Sequence, residues 1–181
     1  KEQSLARELL LKHGMPSNKD EAWRLCNFNR LNSFFSLPII IKSEDVKSKF
    51  PNKDKNSERI IINPNKNQFL NINLSNGIEK LNNREIEENL GKIVKSTKVK
   101  NDLSVSLNQA STAELLALKV KSNFNKSLEI VIPSIKEKSI STRIFLLVEE
   151  GAKLDLLQVF LGNDNSAQNH LIEIKLESKV E

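Results

Sequence analysis

Arg143-Ile144-Phe145-Leu146-Leu147-Val148-Glu149-Glu150-Gly151-Ala152-Lys153-Leu154-Asp155-Leu156-Leu157-Gln158-Val159-Phe160 is the stretch that decides how this chain is read. Two apolar runs are joined by a short polar turn at Glu149-Glu150-Gly151. In an extended chain successive side chains point to opposite faces. Ile144, Leu146 and Val148 therefore share one face, and Phe145 and Leu147 the other. Both faces are apolar, which predicts a strand covered on both sides. In the second run Leu154 and Leu156 share a face, while Asp155 interrupts the other. Working outward, Leu128-Glu129-Ile130-Val131-Ile132 precedes the stretch and Leu171-Ile172-Glu173-Ile174-Lys175-Leu176 follows it, with Ile172, Ile174 and Leu176 aligned. Short strands, polar turns and no intervening helix predict stacked coils or a sandwich. There is no strict hexapeptide repeat, so any stacking of coils is expected to be irregular.

The 181 residues suit one ordinary domain or two small ones. Hydrophobic residues make up 38%, enough for a core, and tyrosine is absent, so packing has to rest on Ile, Leu and Val. The net charge of +5 admits an anionic partner. Lys and Glu alternate along most of the chain, however, and no dense basic block or aromatic-basic interleaving marks a nucleic-acid site. A single Cys excludes an intramolecular disulfide and fits a reducing compartment. No apolar run is long enough to span a bilayer, and the N-terminus reads as the inside of a helix rather than a signal peptide.

Toward the N-terminus, Leu5, Leu9 and Leu10 have helical spacing over Ser4 to His13, with Gly14 as a C-terminal cap and Pro16 beyond it. Ser17-Asn18-Lys19-Asp20 has capping-box spacing and predicts a second helix through Glu21 to Cys26, with Trp23 and Cys26 on one buried face. Ser43 to Ser57 reads as a short helix and a loop. Strands are expected at Arg59 to Ile62 and over Leu70, Ile72 and Leu74, and Asn76-Gly77 is a tight-turn signal. Ile86, Leu90 and Ile93 mark one face of a helix starting at Asn82 or Asn83. Leu103 to Ala110 is assigned as helix and Leu115 to Lys121 as strand.

The chain holds few candidates for chemistry. Cys26 as a nucleophile needs a base, and His13 is separated from it by a turn, so Cys26 reads as packing. One Cys and two His cannot alone fill a four-ligand metal or cluster site. His170 precedes an apolar strand and reads as an edge residue. Asp155, Asp164 and Glu173 are the acids available to a β-solenoid enzyme acting on polysaccharide, but that chemistry needs two carboxylates at a set separation on one face, and the spacing gives no such pair. Gly162-Asn163-Asp164 reads as a turn, not a phosphate loop. No catalytic, cofactor-binding or metal-ligating residue is assigned, and the residues alone describe a non-enzymatic interaction or scaffold module.

Two stretches carry a family resemblance. Gly14-Met15-Pro16-Ser17-Asn18-Lys19-Asp20-Glu21-Ala22-Trp23-Arg24, continuing to Asn29-Arg30-Leu31, resembles the N-terminal motif of the SufD subunit of the SufBCD iron–sulfur cluster assembly complex: Gly-x-Pro, a basic and acidic pair, Glu-x-Trp-Lys/Arg, then a Leu. Leu25-Cys26 stands where that family usually has Tyr followed by Thr or Ser. Arg143 to Phe160 is similar to the family's strand, Glu-Glu-Gly-Ala turn, strand segment, and Asn169 to Leu176 to its next strand. The resemblance implies a mainly β fold: an N-terminal helical and mixed α/β domain over residues 1–100, then the first coils of a right-handed parallel β-helix over 101–181. It implies a cytoplasmic scaffold subunit that partners SufB and the ATPase SufC, or pairs as a SufD homodimer, without nucleic acid or membrane insertion. ATP hydrolysis would belong to SufC. This chain alone would bind no cofactor, and an iron–sulfur cluster would be held transiently by the complex. A SufB-like sister subunit and an unrelated protein-binding solenoid are the alternatives. Such subunits are about twice this length, and the last strands read as uncovered, so either the chain is a piece of a longer protein or another chain caps that end.

Overall fold

In a computed structural model the chain is described for residues 2–14, 16–37, 50–62, 73–97, 102–112, 115–162 and 165–178. The organising strand is β5 (Ser139–Val148), in which all but Ser141 are buried. It lies at the centre of a four-stranded sheet ordered β2-β3-β5-β7, formed with β2 (Ile78–Lys80), β3 (Leu115–Val120) and β7 (Ala167–Leu176). β3, β5 and β7 are parallel, and only β2 runs antiparallel to its neighbour β3. A second, all-parallel sheet has the order β1-β4-β6, from β1 (Ser57–Ile61), β4 (Ser127–Pro133) and β6 (Leu156–Leu161). From β3 to β7 consecutive strands alternate between the sheets. Residues facing each other in β3-β5-β7 and in β4-β6 are 28 apart, as Thr142 and His170 are, or Ser127 and Asp155.

The two sheets share one core. Leu116, Leu118, Val120, Ile144, Leu146 and Val148 from the larger sheet meet Ile60, Leu128, Ile130 and Ile132 from the smaller. Each such side chain contributes roughly 1.5–3 kcal/mol when fully removed from water, so this layer supplies most of the folding drive. The opposite face of the larger sheet is covered by helices. Leu81, Ala117, Phe145 and Leu147 pack there with Ile86 and Leu90 of the segment around α3 (Asn83–Asn89) and Ile93 of α4 (Lys92–Ser96). α5 (Leu103–Ser111) covers the rest of that face, and α1 (Glu2–His13) packs on α5. Gln3 and Arg7 of α1 donate to the Ala110 carbonyl, closing a C-terminal group of α5.

This architecture corrects the β-helix expectation. The chain is mixed α/β with two small sheets, and neither sheet closes or curls, so it does not match a right-handed parallel β-helix solenoid. The apolar outer face of β5 is what a solenoid reading misjudged: it is sealed by α3, α4 and α5 and is not the outer wall of a coil. Facing sheets, the other option left by the strand pattern, describe the packing.

Locally, several of the expected caps and turns form. Gly14 caps α1 at φ +66, with its N–H donating to the Leu10 carbonyl at 2.9 Å. Asn82 and Glu85 form a reciprocal capping box that starts α3. Gly91, at φ +77, breaks what the Ile86, Leu90, Ile93 pattern suggested was one helix into α3 and α4. α5 and β3 fall where the sequence assigned them. The second helix does not form over Glu21 to Cys26. Asp20 accepts from both the Ser17 N–H and hydroxyl, Lys19 N–H turns back to Ser17, and only a single 3-10 turn, Glu21–Trp23, follows. Trp23 is consequently half-buried rather than a core anchor, and Leu25 is 93% exposed. The helix α2 (Phe28–Ser36) starts later, with Asn27 accepting from the Arg30 N–H. The expected elements over 43–49 and at Leu70 and Ile72 lie outside the described residues.

Gly77 shows how tightly the turn before β2 is built. The Ser75 carbonyl accepts from Ile78 N–H, Gly77 sits at φ +90, and a Cβ there would meet the Phe124 backbone at 2.6 Å. Gly151, at φ +73, faces open space. Gly77→Ala should cost about 3 kcal/mol or more, since strain and collision combine, whereas Gly151→Ala should cost about 1 kcal/mol. Urea unfolding followed by circular dichroism checks the contrast; equal midpoints for the two variants would contradict it.

Candidate interaction site

Charged residues on apolar strands are the first guide to the site. Glu173 lies on the helix-facing side of β7, 2% exposed. Its Oε1 accepts from Arg143 of β5 at 2.8 Å and from the Gly91 N–H at 3.2 Å, and Oε2 accepts from the Val94 N–H at 3.4 Å. The carboxylate thus ties the β5–β7 pair to the first turn of α4. On the smaller sheet Arg59 and Glu129 stand opposite each other in β1 and β4 and form a two-pronged pair at 2.7 and 2.8 Å. Near the α3 end of the larger sheet, Lys119 bonds Glu85. That bond is the main cause holding Glu85 below and Lys119 above their ordinary pKa. Lys175 of β7 donates to Asn89 at 2.8 Å. These contacts are structural clamps for the helical cover.

At the other end of that face polar side chains dock α5. Asn108, fully buried, donates to the carbonyls of Thr142 and Asn169 at 2.9 Å each, and Asn169 donates to the Ser104 carbonyl at 2.9 Å. Between the sheets, His170 is bracketed by Thr142, with Nδ1 and Oγ1 2.6 Å apart, and by Gln168 Oε1 at 3.2 Å. The Phe160 ring lies 4.9 Å from the imidazole. Burial pushes the His170 pKa down to about 4.

A further feature is the end of the two-sheet core. β6 and β7 are the last strands of their sheets, and among the described residues no strand pairs with their outer edges. Leu156, Gln158 and Phe160 continue the inner face of β6, as shown by their pairing opposite Leu128, Ile130 and Ile132. His170, Ile172, Ile174 and Leu176 do the same for β7. These side chains are half-buried or exposed, with Phe160 at 49% and Leu176 at 59%. The end offers backbone donors and acceptors beside apolar side chains, which is the chemistry of strand addition and apolar docking.

The residues considered for catalysis are not brought together. Asp155 precedes β6 on the smaller sheet and accepts from the Ser127 hydroxyl at 2.8 Å, while Glu173 is consumed by its clamp on the larger sheet. Asp164 and the side chain of His13 lie outside the described residues. Cys26 is half-buried. His170, read as an edge residue, does stand on an edge strand but turns inward. Among the described residues no three His, Cys, Asp or Glu side chains converge as a metal-ligand set. The two ion pairs were missed by sequence reasoning. Their signal was present, since Arg59, Glu129, Arg143 and Glu173 each interrupt an apolar strand, but the pairing needed the strand order.

No protein-family model, curated protein or solved structure matches the chain.

Removing one partner of a buried pair leaves a charge without compensation. Glu173→Leu should therefore destabilise the fold by about 3–5 kcal/mol, because Arg143 and the first turn of α4 lose their acceptor. Asp155→Ala, at an exposed site, should cost under about 1 kcal/mol. Chemical denaturation of both variants tests the ranking, and a Glu173→Leu protein as stable as wild type would show that the clamp is dispensable.

Proposed function

We propose that this chain is a non-catalytic scaffold subunit resembling SufD, acting in the cytoplasm in iron–sulfur cluster assembly with a SufB-like paralogue and the ABC-type ATPase SufC. The reading starts from the Gly14 to Leu31 and Arg143 to Phe160 motifs. One structural observation supports it most: among the described residues no strand pairs with the outer edges of β6 and β7, and their inner-face side chains are half-buried or exposed. A strand edge of this kind can accept a strand from another polypeptide. ATP hydrolysis belongs to the partner, and any cluster is held by the assembled complex. No helix among the described residues is long and apolar enough to cross a membrane.

Co-expression with SufB and SufC is the direct test. The three proteins should co-elute on size exclusion, and Leu176→Glu together with Phe160→Glu should weaken the association at least tenfold while leaving circular dichroism unchanged. A chain that elutes alone from an otherwise intact SufB–SufC mixture overturns the reading. Elution with SufC in place of SufB would favour the sister-subunit assignment.

Cofactor content gives a second check. The chain has one Cys, and clusters are ordinarily held by four thiolates. Anaerobic reconstitution of the isolated chain should leave less than about one-tenth equivalent of cluster after desalting. A stable stoichiometric cluster absorbance on the monomer would contradict the assignment of cluster binding to the complex.

A further inference from the structure

At the β6–β7 end of the core, an aromatic contact and an amide bridge join the two sheets. Phe160 belongs to β6 in the smaller sheet and His170 to β7 in the larger, and their rings meet at 4.9 Å with planes inclined by 30°. Beside them Gln168 of β7 donates its amide Nε2–H to the Leu161 carbonyl of β6 at 3.2 Å. The same Gln168 offers its Oε1 to His170 Nε2 at 3.2 Å. With Nε2–H donating to Gln168, Nδ1 carries the lone pair and accepts the Thr142 hydroxyl proton across 2.6 Å. One neutral imidazole therefore orients both the aromatic contact and the amide bridge.

We propose that His170 is an acid-sensitive latch between the two sheets, and that protonating its ring loosens β6 from β7. The proposal takes its purpose from the scaffold reading, in which a partner strand can add at β6 or β7. A proton added at Nδ1 reverses that bond: the Thr142 hydroxyl rotates its own hydrogen elsewhere and its oxygen accepts from Nδ1–H, so the cost of the cation lies in its burial. The Thr142 side chain is itself buried, and the new cation gains little water. The Phe160 ring lies within cation–π range, while burial holds the imidazole pKa down at about 4. No opposite charge relieves the cation among the described residues. The inner faces of β5 and β6 carry no ionisable side chain near the ring, and α5 carries none at all. Arg143, Glu173 and Lys175 occupy the other face of the larger sheet, as does α4 with Lys92 and Lys95, and Asp155 lies at the far end of β6.

The sign follows from the two pKa values. A histidine held below its ordinary value favours the closed form fully above pH 6.5, and that preference is lost as pH falls from 6.5 toward 4. Allowing for the ring's partial exposure, the local opening constant should rise about tenfold between pH 7.5 and pH 5. Hydrogen exchange, expressed as protection relative to intrinsic rates, reads this on amides 156–161 and 167–172 of the isolated chain. His170→Phe should abolish the pH response, leaving less than about a twofold change. His170→Gln, which keeps polar contacts without titrating, should behave the same way and replaces it if the Phe variant misfolds. An equal acid response in wild type and both variants, or an NMR titration placing His170 at its ordinary value, overturns the proposal. Because no partner is present, loss of the scaffold assignment would leave this result standing.

Discussion

Everything in this fold depends on β5 being buried on both faces. A parallel strand with apolar side chains on each side cannot remain at a surface, so it demands a layer above and a layer below. Below lies the smaller sheet, meeting Ile144, Leu146 and Val148; above lie α3, α4 and α5, meeting Phe145 and Leu147 or the polar positions near Ser141. The alternation of strands between sheets supplies the lower layer at every return. The three helices inserted between β2 and β3 supply the upper one. With few aromatics available, shape matching falls to branched aliphatics, whose restricted rotamers suit a pleated surface.

The charges embedded in these layers act as locks. Arg143–Glu173 and Arg59–Glu129 are each nearly dry, so neither is expected to add much net stability over a well-packed apolar pair. Their effect is to forbid alternatives. A shift of β7 by one residue would turn Glu173 into the apolar space between the sheets and strand Arg143. Because the same carboxylate receives the Gly91 and Val94 amides, register in the sheet and placement of α4 are decided together.

Strand positions were legible because the alternation is strong: β4, β5 and β7 could be marked from Leu128, Arg143 and Leu171 onward. The boundary between α5 and β3 was legible from Leu103 to Ala110 giving way to the alternation of Leu116, Leu118 and Val120. How the strands associate was not. A run such as Phe145 and Leu147 says that a cover exists but not whether helix or coil provides it, and the solenoid expectation failed on that ambiguity. The capping signal at Ser17 to Asp20 was real, yet the short Asp side chain satisfied Ser17 and left one 3-10 turn in place of a helix. At the candidate site, the inward aspect of His170 and its contact with Phe160 depend on a meeting of two sheets that no local pattern records.

The half-buried position of Trp23 has an optical consequence. It is the chain's one tryptophan, and there is no tyrosine. The two-sheet core, made of Ile, Leu and Val with Phe124 and Ala152, is therefore nearly silent in intrinsic fluorescence. Emission reports the 3-10 turn at Glu21–Trp23, none of whose described side chains belongs to either apolar cluster. Fluorescence and far-ultraviolet dichroism would thus observe different regions of the molecule. Transitions that fail to coincide by these two probes would reflect local release of the N-terminal segment before they implied an intermediate in the folding of the sheets.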